Sequence, residues 1–370
     1  MIERNYLLSL FEELIQIDSP SFRERRMGDV VTEKLKSLGI PVREDGAADV
    51  IGGSCGNLYG YLEGDLDLPP LLFCAHLDTV EPSQGKRMRI DEDGVITSQG
   101  ETILGADDCA GLASILEAIR ALKVSGLSHR PIEVLFTVAE EPYCRGAQAL
   151  DSSLIRSHEA YVFDLSGPVG QAAYEAPTIL SFRIVFTGRS SHAGFSPEEG
   201  IHAIRAAACA IAEVPCGRIG EATLNFGTIS GGIADNIVPE SCFVTGEIRS
   251  CSDGAAKELF ARTSRTIQRI AQEHGAKAQV SHRVEVTAYR TEPESRTAKR
   301  FQSACRGLGL SGRLLKTFGG SDNNYLAQQG IKGLVVANAM NNCHSTDEYT
   351  TADELERSAK LALALMLSKE

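Results

Sequence analysis

Four nearly continuous apolar segments in this chain each lead, within a few residues, into a histidine or a carboxylate. The segments are 71–75, 132–138, 161–163 and 335–339. The residues that follow them are, in order, His76 and Asp78, Glu140 and Glu141, Asp164, and His344. Uninterrupted apolar runs are typical of parallel strands that are buried on both faces. Because binding groups gather at the carboxyl ends of strands in open α/β sheets, we expect these side chains to face one crevice.

A further acidic pair, Asp107 and Asp108, lies in the sequence GADDCAG, directly before a predicted helix. The positive end of a helix dipole favours carboxylates at such a position. Each of these motifs alone is more often a core histidine, a helix cap or a solvated surface. Together they place charges beside strongly apolar elements, where an unpaired charge is costly. Two histidines, an excess of carboxylates and no thiolate cluster suit a pair of divalent cations.

The chemistry of these groups indicates how they would share the work of a metal site. His76 can bind metal through one ring nitrogen, and Asp78 can accept a hydrogen bond from the other. A carboxylate can bridge two cations through its two oxygens, and Asp107 is the expected bridge. Of the pair Glu140 and Glu141, one is expected to bind metal and the other to act as general base for a bridging water.

The order of predicted elements indicates two domains in these 370 residues. Residues 1–175 and 290–370 alternate helices with buried strands, which predicts an α/β fold with a mostly parallel central sheet. Residues 176–289 follow the order β-α-β-β-α-β, which is typical of a ferredoxin-like module. Because the module interrupts the α/β pattern, we expect it to be an inserted domain.

Composition argues against several classes of protein. A net charge of −12 without a basic patch argues against nucleic-acid binding. No apolar run approaches the length that spans a membrane. The ten cysteines are scattered and form no CxxC pair, and the amino terminus has the pattern of an amphipathic helix rather than a signal peptide. We therefore expect free cysteines and a cytoplasmic location.

Five further polar residues are weaker candidates for contact with a substrate. His192, in GRSSHAGF, is by itself more often a polar loop residue. Ser321 and Asp322 follow two glycines, and they could form a substrate-facing turn or simply cap a helix. Asn236 and Arg249 could touch a substrate, or they could belong to an ordinary connection between strands.

Nine motifs, in order along nearly the whole chain, resemble those of a known family. This is the family of co-catalytic dizinc metallopeptidases, which includes peptidase T, carboxypeptidase G and related aminoacylases, and the peptidase T-like branch fits best. The motifs are HLDTV, GADDCAG, AEEPYCRGAQAL, FDLSG, GRSSHAG, GGIADNIVPE, EIRS, GGSDNN and CHSTDE. The resemblance implies a zinc-exopeptidase-like catalytic domain with an inserted lid domain, and a homodimer formed through that lid.

The resemblance also implies which residues hold the metal ions. His76, Asp107 and Asp164 would hold one ion. Asp107, Glu141 and His344 would hold the other. Zn²⁺ is the expected ion, with Co²⁺ or Mn²⁺ as alternatives.

Other roles follow from the same resemblance. Asp78 would orient the first metal-binding histidine, and Glu140 would be the general base. His192 resembles a lid histidine that, in dimeric members, reaches the active site of the partner subunit and helps to stabilise the oxyanion. Asn236 and Arg249 resemble lid residues that contact the backbone or carboxylate of the substrate.

The function implied by the resemblance is a metal-dependent exopeptidase that acts through a metal-bridged hydroxide. Asp164 is typical of the aminopeptidase-like members, which favours an aminopeptidase of the tripeptidase kind. A carboxypeptidase or an N-acyl amino acid amidohydrolase would use the same residues, and a non-catalytic relic is a third alternative. The resemblance further implies a cis peptide bond at Asp107–Asp108. The chain departs from the family at Cys109, where lysine is usual, and we expect a small packed side chain there.

Overall fold

The computed structural model describes all 370 residues, which divide into two compact units. The first unit comprises Met1–Glu175, Arg290–Thr317 and Ser321–Glu370, and the second comprises Ala176–Tyr289 with Phe318–Gly320. That the short segment 318–320 belongs with the second unit was not predicted from the sequence. The catalytic and dimerising roles given to the two parts of the sequence stay predictions.

The helices and strands are numbered in chain order. The helices are α1 (Arg4–Ile15), α2 (Arg25–Ser37), α3 (Ala47–Ile51), α4 (Ala106–Ser125), α5 (Arg145–Gln148), α6 (Ala203–Glu213), α7 (Asp253–Glu273), α8 (Arg296–Gly307), α9 (Asn323–Gln328) and α10 (Ala352–Met366). The strands are β1 (Val42–Glu44), β2 (Leu58–Leu62), β3 (Leu71–His76), β4 (Met88–Ile90), β5 (Val95–Ser98), β6 (Ile132–Thr137), β7 (Glu159–Ser166), β8 (Gln171–Ala176), β9 (Thr178–Thr187), β10 (Gly217–Ile219), β11 (Ala222–Gly231), β12 (Ser241–Ser250), β13 (Lys277–Val286), β14 (Tyr289–Arg290), β15 (Arg313–Lys316), β16 (Lys332–Met340) and β17 (Tyr349–Thr351).

The first unit is built around a mixed sheet of nine strands in the order β1-β2-β6-β3-β7-β16-β8-β14, with β15 paired to β8. Its central neighbours β6, β3, β7 and β16 run parallel. Every residue of β3 and β6 is buried, as the apolar runs predict. Helix α4 packs against β3 and β16 and against helices α1 and α10. The predicted α/β fold with a mostly parallel central sheet is confirmed.

The parallel strands end at one edge of this sheet, and the predicted site residues lie at those ends. Strand β3 ends at His76, and β6 ends just before Glu140. Asp164 lies near the end of β7, and β16 ends shortly before His344. Because these four strands are adjacent, their carboxyl ends open onto the same crevice.

The first unit also contains a small sheet that was not predicted. Its order is β17-β5-β4, and its strands are three or four residues long. Segments this short show too few alternating positions to reveal a strand in the sequence.

The second unit is an antiparallel sheet in the order β10-β11-β12-β9-β13, against which helices α6 and α7 pack. Along β9 the alternate residues Phe182, Ile184 and Phe186 are buried, as their spacing predicts. The predicted ferredoxin-like order is confirmed, with one addition. The short strand β10 forms a hairpin with the first residues of β11.

The cysteines and the helices bear on two of the predictions from composition. All ten cysteines are free thiols, as predicted. The cytoplasmic location expected from them stays a prediction. None of the helices combines the length and the apolar character that crossing a membrane requires.

Candidate metal centre

Asp107 lies between two histidines of the first unit and presents one carboxylate oxygen to each. Its Oδ1 is 3.0 Å from Nε2 of His76, and its Oδ2 is 3.3 Å from Nε2 of His344. Asp164 Oδ1 lies 3.8 Å from the same nitrogen of His76, and Glu141 Oε2 lies 3.0 Å from that of His344. Five side chains from distant points of the chain thus form two histidine–carboxylate groups that share Asp107.

The adjacent glutamates face different parts of this cluster. Possible metal-binding atoms of His76, Glu140 and Asp164 lie within 4.8 Å of one another. The corresponding atoms of His76, Asp107 and Glu141 also lie within 4.8 Å of one another and form a second group. Glu140 therefore lies beside the Asp164 side of the cluster, whereas Glu141 reaches Asp107.

Asp78 is fully buried and holds the loop that carries the two glutamates. Its Oδ1 accepts the N–H of Glu140 at 2.9 Å, and its Oδ2 accepts the N–H of Glu141 at 3.2 Å and the hydroxyl of Ser21 at 2.7 Å. The Nδ1 of His76 is 2.9 Å from the backbone oxygen of Asp78 and 3.4 Å from its Oδ1. The carboxylate of Asp78 was predicted to orient His76, but the backbone carbonyl of Asp78 is the nearer acceptor.

The backbone around Asp107 is held by buried polar contacts. The peptide bond between Asp107 and Asp108 is cis, as the family resemblance implies. The N–H groups of Gly105 and Asp107 both donate to the carboxylate of Glu348, at 2.7 and 2.9 Å. Asp108 faces the interior, where its Oδ2 accepts the N–H of His76 at 3.0 Å. These bonds determine the direction in which the Asp107 side chain extends.

Burial and the two histidines govern where protons reside in the cluster. Burial raises the pKa of Glu140 and of Asp164 well above the usual carboxyl range. Burial acts on Asp107 as well, but hydrogen bonds with the two histidines keep its pKa below the usual value. Hydrogen bonds to Asp107 and Glu141 raise the pKa of His344 to about 10. At neutral pH Asp164 and His344 therefore hold protons that a cation would have to displace.

The set of donor atoms fits divalent cations of the hard-to-borderline class. The two groups around Asp107 offer imidazole nitrogens and carboxylate oxygens, without a thiolate. Oε1 of Glu141 is buried and accepts no hydrogen bond, although buried polar atoms normally have a partner. A cation beside Glu141 would satisfy that oxygen and offset the surplus of negative charge.

Two of the weaker candidates are neighbours in the second unit. His192 is exposed, and its Nδ1 accepts the N–H groups of Gly194 and Phe195, each at 3.1 Å. Asn236 is also exposed, and its backbone oxygen accepts the N–H of Ala193 at 2.9 Å. The second unit therefore brings His192 and Asn236 together on its surface.

Arg249 is bonded to other groups of the second unit. Its guanidinium donates to Glu247 at 2.7 and 3.1 Å and to the backbone oxygen of Phe318 at 2.8 Å. These bonds use three of the five N–H hydrogens of the guanidinium, so a contact with a substrate would not require the loss of a partner. Its contact with a substrate stays a prediction.

Ser321 and Asp322 are buried in the first unit. Their exposed fractions are 3% and 1%, and Asp322 accepts a hydrogen bond from the hydroxyl of Thr137. Burial raises the pKa of Asp322 to about 6. Asp322 precedes helix α9, but its side chain makes no capping bond. Possible metal-binding atoms of Asp322 lie within 4.8 Å of those of Glu140 and Cys144, so Asp322 adjoins the cluster. The contact of Ser321 and Asp322 with a substrate stays a prediction.

Cys109 is packed in the core of the first unit, as expected from the sequence. Its side chain is 1% exposed, and burial raises the pKa of its thiol to about 12. A thiol that stays protonated is a poor metal ligand, since the thiolate is the binding form. The departure from the family at this position therefore leaves the cluster of ligands intact.

Several buried residues that hold the cluster were not singled out from the sequence. They are Glu24, Asn338, Cys144 and Glu348. Asn338 carried the clearest signal, since a polar residue inside an apolar strand requires a partner. The others bond to groups that are not recognisable as partners from sequence spacing alone.

Comparison with known proteins places the chain among peptidases by similarity. A family model described as "Peptidase family M20/M25/M40" matches residues 72–368, a range that contains all the candidate ligands. The chain is 34% identical over 367 residues to YqjE of Bacillus subtilis (strain 168), with 99% of each protein covered.

Two solved structures are similar to the chain over almost its full length. One is a tripeptidase from Staphylococcus aureus, with a TM-score of 0.96 and 32% identity. The other is the aminopeptidase PepT from Bacillus cereus, with a TM-score of 0.91 and 36% identity. In both comparisons the match covers 99% of this chain and 98% of the other. These similarities confirm the predicted fold class.

Binding of a divalent cation should release protons, because His344 and the buried carboxylates must lose theirs to act as ligands. Zn²⁺ is titrated calorimetrically into chelator-stripped protein at neutral pH, in buffers that differ in ionisation enthalpy. We expect the measured heat of binding to depend on the ionisation enthalpy of the buffer. This dependence should correspond to the release of about one proton or more per chain. Because the pKa of His344 is raised to about 10, proton competition should weaken as the pH rises, so affinity should increase with pH.

His344→Ala should reduce the number of protons released in that titration. His158→Ala, at an exposed histidine of the first unit, is the matched control and should not change it. A heat of binding that is the same in every buffer would contradict the protonation described for the cluster.

Proposed function

Because this chain belongs to peptidase family M20/M25/M40, we propose that it is a metal-dependent exopeptidase that removes amino-terminal residues from short peptides. The resemblance to the peptidase T-like branch is confirmed by that match and by the solved relatives, which are named a tripeptidase and an aminopeptidase. The observation that carries the proposal is the position of Asp107. Its two carboxylate oxygens face His76 and His344 at 3.0 and 3.3 Å.

Two divalent cations, one beside each histidine, are the proposed cofactors. His76, Asp107 and Asp164 would hold one, and Asp107, Glu141 and His344 would hold the other. When bound, such ions polarise a peptide carbonyl and lower the pKa of water towards neutrality. Zn²⁺ is the ion we expect for imidazole and carboxylate ligands, and Co²⁺ or Mn²⁺ would accept the same set.

Glu140 is the proposed general base. Its main chain is held by the bond from its N–H to Asp78, and its carboxylate lies beside His76 and Asp164. It would take a proton from the attacking water and deliver it to the leaving amine. Burial favours the protonated form of Glu140, and this suits a group that must hold a proton between the two steps.

His192 is proposed to stabilise the oxyanion that forms on the attacked carbonyl. Because its Nδ1 accepts two backbone N–H groups, a neutral ring carries its hydrogen on Nε2, which is then a donor. The ring of Phe195 packs on the imidazole, with the centroids 4.3 Å apart. Asn236 and Arg249 are proposed to contact the backbone or the carboxylate of the bound peptide.

The substrate class can be tested with a tripeptide in three forms: unmodified, amino-terminally acetylated, and amidated at the carboxyl terminus. If the enzyme is an aminopeptidase, acetylation should lower kcat/KM by about 100-fold or more, since it leaves the groups that bind the amine unpaired. Amidation should have the smaller effect. Chelation should abolish hydrolysis, and Zn²⁺ should restore it.

N-acyl amino acids complete that panel and distinguish the alternatives. Faster hydrolysis of N-acyl amino acids than of any peptide would identify an amidohydrolase. A larger effect of amidation than of acetylation would identify a carboxypeptidase. An absence of turnover with all compounds in excess Zn²⁺ would favour the non-catalytic relic.

Replacement of the general base should remove activity without removing metal. In Glu140→Gln, kcat should fall by about 100- to 10,000-fold, the usual contribution of a general base. The metal content, measured by mass spectrometry, should remain at two ions per chain. The control is Glu92→Gln, at an exposed glutamate, which should retain full activity. Full turnover by Glu140→Gln would refute the role given to this residue.

A homodimer formed through residues 176–289 is part of the proposal. Strand β11 pairs with β10 only over Ala222–Leu224, and most of the rest of that edge is exposed. On this edge the side chain of Ile229 is 53% exposed. An open strand edge with an exposed apolar side chain is suited to pairing with a second copy of the chain.

Disruption of this edge should separate the dimer. Ile229→Lys should shift the mass measured by light scattering from two chains to one. Ile90→Lys, at a residue of the first unit that is 44% exposed, is the matched control and should remain dimeric. A wild-type protein that is monomeric at all concentrations would exclude the proposed dimer.

A further inference from the structure

The carboxylate of Glu140 accepts one hydrogen bond in this structure, and its donor is the thiol of Cys144. The Sγ of Cys144 lies 3.3 Å from Oε1 of Glu140. Both side chains are buried, with exposed fractions of 1% for Cys144 and 9% for Glu140. The proposed general base therefore has one oxygen held by a neighbour and one oxygen that accepts no hydrogen bond from the protein.

Cys144 reaches this position through a backbone conformation that is unfavourable for a residue with a side chain. The N–H of Cys144 donates to the backbone oxygen of Glu140 at 2.5 Å, which closes the turn between them. Cys144 has φ 55° and ψ 42°, in the left-handed region that favours glycine. Because glycine would adopt this turn more easily, the side chain of Cys144 is expected to contribute through the contact it makes.

The surroundings of the thiol favour its role as a donor. Possible metal-binding atoms of Glu140, Cys144 and Asp322 lie within 4.8 Å of one another, and all three groups are buried. Asp322 already accepts the hydroxyl hydrogen of Thr137. Burial raises the pKa of the Cys144 thiol well above its usual range, so the sulfur keeps its hydrogen. A protonated thiol between two carboxyl groups can donate, whereas a thiolate there would be repelled.

We propose that Cys144 is a positioning residue for Glu140, and this inference rests on the function proposed above for Glu140. The S–H···Oε1 bond sets the rotation of the carboxylate and leaves Oε2 as the oxygen that receives the proton of the attacking water. A thiol is a weak donor, so it restrains the carboxylate without competing strongly for the proton. Cys144 itself does not touch the substrate or the reacting atoms.

The test compares three variants by steady-state kinetics on the unmodified tripeptide. Cys144→Ala removes the donor and should lower kcat by about tenfold, at the lower end of the effects of residues that orient catalytic groups. KM should stay within about twofold, because the peptide-binding groups are untouched. Cys144→Ser restores a donor and should recover most of the lost kcat. Cys305→Ala, at another fully buried cysteine of the first unit, should behave like the wild type.

Two measurements distinguish a donor from a metal ligand. All variants should retain two metal ions per chain, and the Co²⁺-loaded wild type should show no thiolate-to-cobalt charge-transfer absorption. If the wild type showed such a band and Cys144→Ser did not, the sulfur of Cys144 would be a metal ligand. That result would overturn the proposal.

The kinetic results separate this inference from the function on which it rests. A kcat of Cys144→Ala equal to that of the wild type, or a Cys144→Ser variant as slow as Cys144→Ala, would refute positioning by the thiol. If Glu140→Gln were inactive in the same experiments, Glu140 would still be the general base. Only the positioning role of Cys144 would then be refuted. Full activity of Glu140→Gln would refute the general-base role on which this inference rests.

Discussion

The contact of one carboxylate with two imidazoles organises the crevice of the first unit. Asp107 can face His76 and His344 at once because its backbone is held by bonds that do not involve either histidine. The N–H groups of Gly105 and Asp107 donate to Glu348, which lies far away in the sequence. Without these bonds the carboxylate could rotate to satisfy one histidine only. The two histidine–carboxylate groups on either side of Asp107 would then no longer share this side chain.

The second constraint is electrostatic. The crevice gathers more carboxylates than cationic groups, and burial raises the pKa of Glu140, Asp164 and Glu348, the last to about 7. Such a cluster is stable when it binds protons or metal cations. A cation that binds the folded chain at a concentration 1,000-fold above its Kd would add about 4 kcal/mol to the stability of the fold. Binding of a cation to this cluster of buried carboxylates would therefore also stabilise the folded state.

The convergence of the candidate ligands could be predicted from the sequence, but most of the residues that hold them could not. Apolar runs that end in His76 or lead to Glu140 are visible, and the geometry of a parallel sheet brings their ends together. Glu348 and Cys144 act through backbone groups or a single neighbour, and no spacing in the sequence identifies such partners. Asp322 lies in a recognisable motif, but its burial depends on packing and was not foreseen. The sequence thus predicts which elements meet, and tertiary contacts decide which side chains face inward.

Anomalous diffraction tests most directly whether two cations share Asp107. Crystals of the chain soaked in Zn²⁺ would be measured on both sides of the zinc absorption edge. We expect two zinc peaks per chain, one beside His76 and Asp164 and one beside His344 and Glu141, with Asp107 in contact with both. A single peak, or peaks that do not touch Asp107, would contradict a shared carboxylate.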